Sequence, residues 1–293
     1  MTFTSTSPSI DGLREIAGRY DAIVCDVWGV IHNGVRVHPP AVEALMRFRE
    51  AGGAVSLLTN SPRRSEGVRE QLLELGASAE AWDTIVTSGD VTRRLIVDAG
   101  RAIHHLGPAR DRPLFEGLDV ELVALDAAEA IVCTGLVEDE TETPEDYRES
   151  LAPAAGQSLP FVCANPDLVV ERGDRLIPCA GSLAMLYAQL GGETRMAGKP
   201  HAPIYALAME RLTALRPGLT KAKTLAIGDG MPTDVKGAID NGFPLLFVTG
   251  GIHAADYRGQ RGADPARLHA FLEGHRVRPE HWIDALQWHG GGA

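Results

Sequence analysis

Ala22-Ile23-Val24-Cys25-Asp26-Val27-Trp28-Gly29-Val30 decides how this chain is read. Apolar residues run directly into a carboxylate, and a glycine follows three positions later. A short apolar run bounded by polar turn residues is the pattern of a strand buried on both faces. A carboxylate at its end is costly to bury unless paired or bound to a metal. Asp26 therefore reads either as a turn cap or as a chemical group, and Gly29 lets the backbone turn tightly behind it.

The same pattern recurs outward from this stretch. Ala54–Leu58 runs into Thr59-Asn60, and Thr224–Ile227 runs into Gly228-Asp229. Thr84–Val86, Ala130–Cys133, Phe161–Cys163 and Pro244–Val248 are further apolar runs. Between them lie amphipathic stripes at helical spacing: Val42, Leu45, Met46 and Phe48; Val68, Leu72 and Leu75; Ile204, Leu207, Ala208, Leu212 and Leu215. The first two stop at Gly52-Gly53 and Gly76, where glycine ends a helix. Strands alternating with helices predict an α/β protein with a parallel sheet. Ligands of such sheets bind beyond the carboxyl ends of the strands, so the polar residues there are the candidates for chemistry.

Composition narrows the possibilities. The chain has 293 residues with 28 Lys+Arg against 39 Asp+Glu, a formal charge of −11. Without a basic block it lacks what a nucleic-acid-binding surface requires. No apolar stretch approaches the ~20 residues of a membrane span, and the polar start MTFTSTSPSIDGL does not read as a secretory signal. Cys25, Cys133, Cys163 and Cys179 form no CxxC pair, so they read as core residues of a reduced, cytoplasmic protein rather than as zinc ligands. Residues 138–158 are acidic, then rich in Pro, Ala and Gly, and read as a solvated loop with a short helix.

Three more strand ends or turns carry polar groups. Thr59 and Asn60 offer a hydroxyl and an amide that can donate to a phosphate oxygen, although both also make ordinary caps. Lys199, in Gly198-Lys199-Pro200, could neutralise an anion or simply face solvent, and Pro200 fits the first turn of the helix carrying Ile204. Asp229 and Asp234 lie five residues apart on a Gly-rich turn, Gly228-Asp229-Gly230-Met231-Pro232-Thr233-Asp234. Converging carboxylates repel one another, and oxygen donors on a loop suit Mg²⁺.

The order of these groups is more specific than any one of them. Thr59 follows Asp26 by 33 residues, Lys199 follows Thr59 by 140, and Asp229 lies 30 beyond. In this order, and in Leu58-Thr59-Asn60-Ser61, Thr87-Ser88, Ala164-Asn165-Pro166-Asp167, Ala180-Gly181-Ser182 and Gly198-Lys199-Pro200, the sequence resembles the haloacid dehalogenase superfamily. It is most similar to the NagD-type phosphatases with a large cap. The resemblance implies a Rossmann-like, doubly wound parallel sheet as catalytic core, residues 1–92 and 193–293, with an α/β cap inserted at 93–192. It assigns Asp26 as the nucleophile forming an aspartyl-phosphate, Thr59 and Asn60 to phosphate binding, and Lys199 to charge neutralisation. It places Mg²⁺ on Asp26, Asp229, Asp234 and the backbone carbonyl of Trp28, and it directs Asn165 and Asp167 toward substrate. The implied partner is a small phosphorylated metabolite, with no nucleic acid or membrane; a homodimer is a further expectation by resemblance.

One position departs from the pattern. Phosphatases of this type carry a second aspartate two residues after the nucleophile as general acid and base, a contribution of about 10²–10⁴-fold; here the residue is Trp28. A good leaving group, another side chain (His32, Asp167 or Glu171), or a retired scaffold that binds a phosphometabolite without turnover would each fit. Trp28 either fills the space of the missing carboxylate or stacks on an aromatic leaving group. Members that cleave carbon–halogen or carbon–phosphorus bonds also lack the second acid, but they generally place the cap between the first two motifs. The 33 residues available there are too few.

Overall fold

The structure is a computed structural model that describes residues 7–172, 175–260 and 262–289. In chain order the strands are β1 (Ala22–Asp26), β2 (Ala54–Thr59), β3 (Thr84–Thr87), β4 (Ala102–Leu106), β5 (Glu121–Leu122), β6 (Ala130–Cys133), β7 (Phe161–Cys163), β8 (Val169–Arg172), β9 (Arg175–Pro178), β10 (Thr194–Met196), β11 (Thr224–Gly228), β12 (Leu245–Val248), β13 (Arg258–Gly259), β14 (Gly262–Ala263) and β15 (His281–Ile283). The chain divides into two compact units. The first takes the chain up to Leu58, Arg69–Val86, and everything from Tyr205 onward; the second is Thr59–Val68 with Thr87–Ile204.

The first unit is built on a six-stranded sheet in the order β15-β12-β11-β1-β2-β3. The pairings of β1 with β2 and β11, of β11 with β12, and of β12 with β15 are parallel. Strands β1, β2, β11 and β12 are buried at every position, which is why they read as unbroken apolar runs. The helix Pro39–Glu50 buries Ala41, Ala44, Leu45 and Phe48, one face at helical spacing. Its proline sits at the first position, where the missing N–H costs nothing.

The second unit carries its own five-stranded sheet, β10-β7-β6-β4-β5, with all pairings parallel. Alternation along the strands divides its core in two. Ile131, Cys133, Phe161 and Cys163 face a cluster that includes Leu151 and Leu183, on the helices Arg148–Gly156 and Ala180–Gln189. Ala130, Val132, Val162 and Ala164 face the other cluster, with Ile96, Leu114 and Phe115. Strands β8 and β9 form a separate antiparallel hairpin. The unit includes the whole of residues 93–192 and extends beyond it at both ends.

Some local features differ from the sequence reading. Strands β4, β10 and β15 and the β8–β9 hairpin were not among the apolar runs: His104 and His105 interrupt β4, and the others are short or half-exposed. The helix carrying Ile204 begins at Ala202. Pro200 therefore lies ahead of it, in a cis peptide with Lys199, and Pro203 occupies the first turn instead. All four cysteines are buried and none is in a disulfide, as expected of core residues. Burial pushes the Cys133 thiol far above its ordinary value and that of Cys163 up to about 12. Among the described residues no helix is long and apolar enough to cross a membrane.

Candidate active site

The parallel pairing of β1 and β11 places Cys25 beside Ile227, so Asp26 and Asp229 leave the same edge of the sheet on neighbouring strands. Asp234 arrives from the turn Met231–Val235, which has π-helical geometry. Each of these aspartates offers a carboxylate oxygen, and the three oxygens lie within 4.8 Å of one another. All three residues are buried, at 7%, 5% and 6% exposure. A cation holding oxygens at about 2.1–2.5 Å spans ligand pairs up to about 4–5 Å apart, so the donor set fits a hard divalent ion by both spacing and chemistry.

The backbone is shaped around these acids. Asp229 accepts a hydrogen bond from the Ile252 amide at 2.8 Å, and Asp234 accepts one from the Gly230 amide at 3.1 Å. A methyl group on Gly29 would collide with the Asp229 carboxylate, and φ there is +82°, so the position requires glycine twice over. A methyl on Gly251 would strike the same carboxylate. His253 accepts the Met231 amide on Nε2 at 3.1 Å, which leaves its proton on Nδ1, 3.6 Å from Asp256. Burial, working against Asp256, lowers its affinity for a second proton. Burial, followed by the charge of Asp229, raises the Tyr257 hydroxyl well above the ordinary phenol range.

The turn after Asp26 is closed by its own hydrogen bonds. Gly29 donates to the His32 carbonyl at 2.8 Å, and Trp28 and His32 form an isolated parallel bridge. The indole of Trp28 meets the His32 ring edge-on, with centroids 5.1 Å apart, and its far edge lies against Gly34. His32 Nδ1 accepts the Gly34 amide at 2.8 Å, and burial lowers the imidazole pKa to about 4. This histidine is therefore neutral near pH 7 with one nitrogen committed, which is a poor arrangement for a general acid.

In the second unit, Asn60 ties three segments together. Its Oδ1 accepts the Lys199 amide at 2.7 Å, while Nδ2 donates to the Lys199 carbonyl at 3.1 Å and to Asp167 Oδ1 at 2.8 Å. Both amide protons are thus committed, and any donation to a phosphate oxygen would displace one of these bonds. Asn165 Oδ1 accepts the Asp167 amide at 3.1 Å, closing an Asx turn, and Thr59 Oγ1 accepts the Ser61 amide at 3.2 Å. Lys199 is only 3% exposed. The side chain of Glu171, named above as a substitute acid, falls outside the described residues.

Sequence reasoning missed the turn Gly251-Ile252-His253. Its signal was present: Thr249-Gly250-Gly251 is a polar strand end like the other four, directly after the apolar run at 244–248. The contribution of Ile252 is a backbone N–H, which leaves no trace in residue type.

Comparison with known proteins agrees with this architecture. A family model for haloacid dehalogenase-like hydrolases matches residues 23–121, and a second, described as HAD-hydrolase-like, matches residues 196–273. A crystal structure of a haloacid dehalogenase-like family hydrolase from Brucella suis is 50% identical, with a TM-score of 0.83, covering 95% of this chain and 99% of its own. The D-glycerol 3-phosphate phosphatase of Mycobacterium tuberculosis is 29% identical over 92% of this chain and 73% of its own. A structure of a glycerol phosphate phosphatase from the same organism, in complex with calcium, is 27% identical with a TM-score of 0.65, covering 87% of this chain and 76% of its own. The chain belongs to the haloacid dehalogenase-like hydrolases.

Proposed function

We propose that the protein hydrolyses a small phosphate ester through an aspartyl-phosphate on Asp26, with Mg²⁺ held by Asp26, Asp229 and Asp234. The observation that carries this reading is the gathering of three buried carboxylates within 4.8 Å at the ends of two adjacent strands. Buried like charges at that spacing call for a cation, and hard oxygen donors match a hard one. The phosphatase relatives, one of them in complex with calcium, support both the reaction class and the divalent ion.

In this reading the ion supplies charge neutralisation to the phosphoryl group when bound. The protein does the rest. A carboxylate oxygen of Asp26 attacks phosphorus, dividing one hard displacement into two easier ones. The Gly29 turn and the Ile252 amide fix where the carboxylates stand, so no reorganisation is needed as charge moves. The family pattern gives the phosphoryl group to Thr59 and Lys199, with Asn60 holding the Lys199 backbone in place. It gives residues 93–192, with Asn165 and Asp167, the role of the cap that reads the substrate.

The test is phosphate release from p-nitrophenyl phosphate. Release that requires Mg²⁺ and is abolished by Asp26→Asn is the expected result. Absence of turnover on activated esters and acyl phosphates overturns the reading. Tight binding of a phosphometabolite without hydrolysis over hours would put a phosphate-binding protein on this scaffold in its place.

A further inference from the structure

Two exposed apolar residues sit on the turns that contact the carboxylate cluster. Trp28 is 42% exposed although its neighbours Asp26, Val27, Val30 and Ile31 are buried. Ile252 is 53% exposed. Both sit on turns that touch Asp229: Gly29, next to Trp28, packs on its carboxylate, and the Ile252 amide donates to it at 2.8 Å. Exposed apolar groups are common singly, but these two lie on separate turns that meet the same carboxylate.

The indole is also held in place. The Trp28–His32 bridge fixes its backbone, the His32 ring meets it edge-on, and Gly34 leaves room for its far edge. A side chain that merely filled space would be covered. An ordered aromatic surface left open is a platform, and it loses little conformational freedom when a ligand stacks on it.

We propose that Trp28, with Ile252, receives the leaving group and selects phosphate esters of aromatic alcohols. The inference rests on the reaction proposed above and names its substrate class. The chemistry agrees with the surface. The indole N–H is far too weak an acid to hand over its proton, so a leaving group seated on it departs as the anion. A phenolate is the conjugate base of an acid of pKa about 10, whereas an alkoxide resembles hydroxide, the base of a far weaker acid. The aromatic oxygen therefore leaves without help. A carboxylate oxygen of Asp26 bonds to phosphorus as the bond from phosphorus to the aryl oxygen breaks. The electron pair departs on that oxygen, which takes a proton from solvent. Water then cleaves the acyl phosphate, releasing phosphate and restoring Asp26.

Binding of non-hydrolysable phosphonates tests this without turnover. Phenylphosphonate and propylphosphonate are titrated by calorimetry, in Mg²⁺, into the wild-type protein, Trp28→Leu and Trp28→Phe. Stacking on an aromatic side chain is worth about 5- to 150-fold in affinity. Wild type should hold phenylphosphonate at least ~10-fold tighter than the propyl compound. Trp28→Leu should reduce that ratio to about 3 or less, and Trp28→Phe should retain most of it. Propylphosphonate affinity reports whether each variant keeps its phosphoryl site. Equal wild-type affinities, no binding of either phosphonate, or a ratio unchanged by Trp28→Leu overturns the proposal. Turnover separates this outcome from the reaction itself. Asp26-dependent hydrolysis with no aryl preference sinks only the role of Trp28, whereas an aryl preference in binding without hydrolysis of any ester sinks only the reaction.

Discussion

The two units carry the same kind of sheet and finish its rim in opposite ways. In the first, the ends of β1 and β11 bring three buried carboxylates within 4.8 Å. In the second, β4 carries His105 near its end, Thr134 directly follows β6, and Asp111 sits on the helical turn Ala109–Phe115. His105 Nε2 lies 3.0 Å from Thr134 Oγ1, Asp111 is also hydrogen-bonded to that hydroxyl, and Gly107 packs directly over it. Burial lowers His105 to about 4 and raises Asp111 from its ordinary value, so both shifts favour the uncharged form. One rim concentrates charge of a single sign, while the other closes into a satisfied network. The fold does not distinguish them; the balance of charge does.

Breaking the charged rim should have the largest effect. Asp26→Asn should lower kcat at least ~10⁴-fold, as loss of a covalent nucleophile does, with a circular dichroism spectrum like that of the wild type. Retention of more than a few per cent of turnover would remove Asp26 from the chemistry. Next in size is Asn60→Ala. Removing this amide deletes its two hydrogen bonds to the Lys199 peptide and the one to Asp167, at a cost of about 2–4 kcal/mol, read from the urea midpoint. An unchanged midpoint would mean that the clamp contributes nothing.

Metal removal sharpens the contrast further. A ligand present at 100 times its dissociation constant adds about 2.7 kcal/mol to stability. Mg²⁺ should therefore raise the melting temperature and a chelator should reverse the rise. In Asp229→Asn the response should vanish, and the chelated variant should melt above the chelated wild type because one of three like charges is gone. A variant that still responds in full would place the ion elsewhere.

The smallest effect belongs to the neutral rim. The folded pKa of His105 lies below its ordinary 6.5, so it binds fewer protons folded than unfolded. The stability it contributes is present above pH 6.5 and is lost as pH falls toward about 4. His105→Gln should flatten that part of the melting-temperature profile while leaving turnover near pH 7 in place. An identical acid slope in the variant would assign the loss to other groups.

The charged rim was more legible in the sequence than the neutral one. Strands β1, β2, β11 and β12 are buried on both faces, so their apolar runs end abruptly at Asp26, Thr59, Asp229 and Thr249. Strand β4 is half-covered and carries His104 and His105 within its span, which conceals it. The readable site residues were those whose chemistry is in the side chain. What escaped was backbone: the Ile252 N–H on Asp229 and the Met231 N–H on His253. Asn60 was legible as a polar strand end, but its full commitment to Lys199 and Asp167 depends on contacts more than 100 residues away along the chain.

The buried thiols turn the molecule into its own unfolding gauge. Cys25 lies in the first unit, and Cys133, Cys163 and Cys179 lie in the second. A sulfhydryl-reactive dye added to the intact protein has nothing to modify until a unit opens. Counting labels per molecule by mass then tells the events apart: a gain of one reports the first unit, a gain of three the second, and four in a single step reports both giving way together.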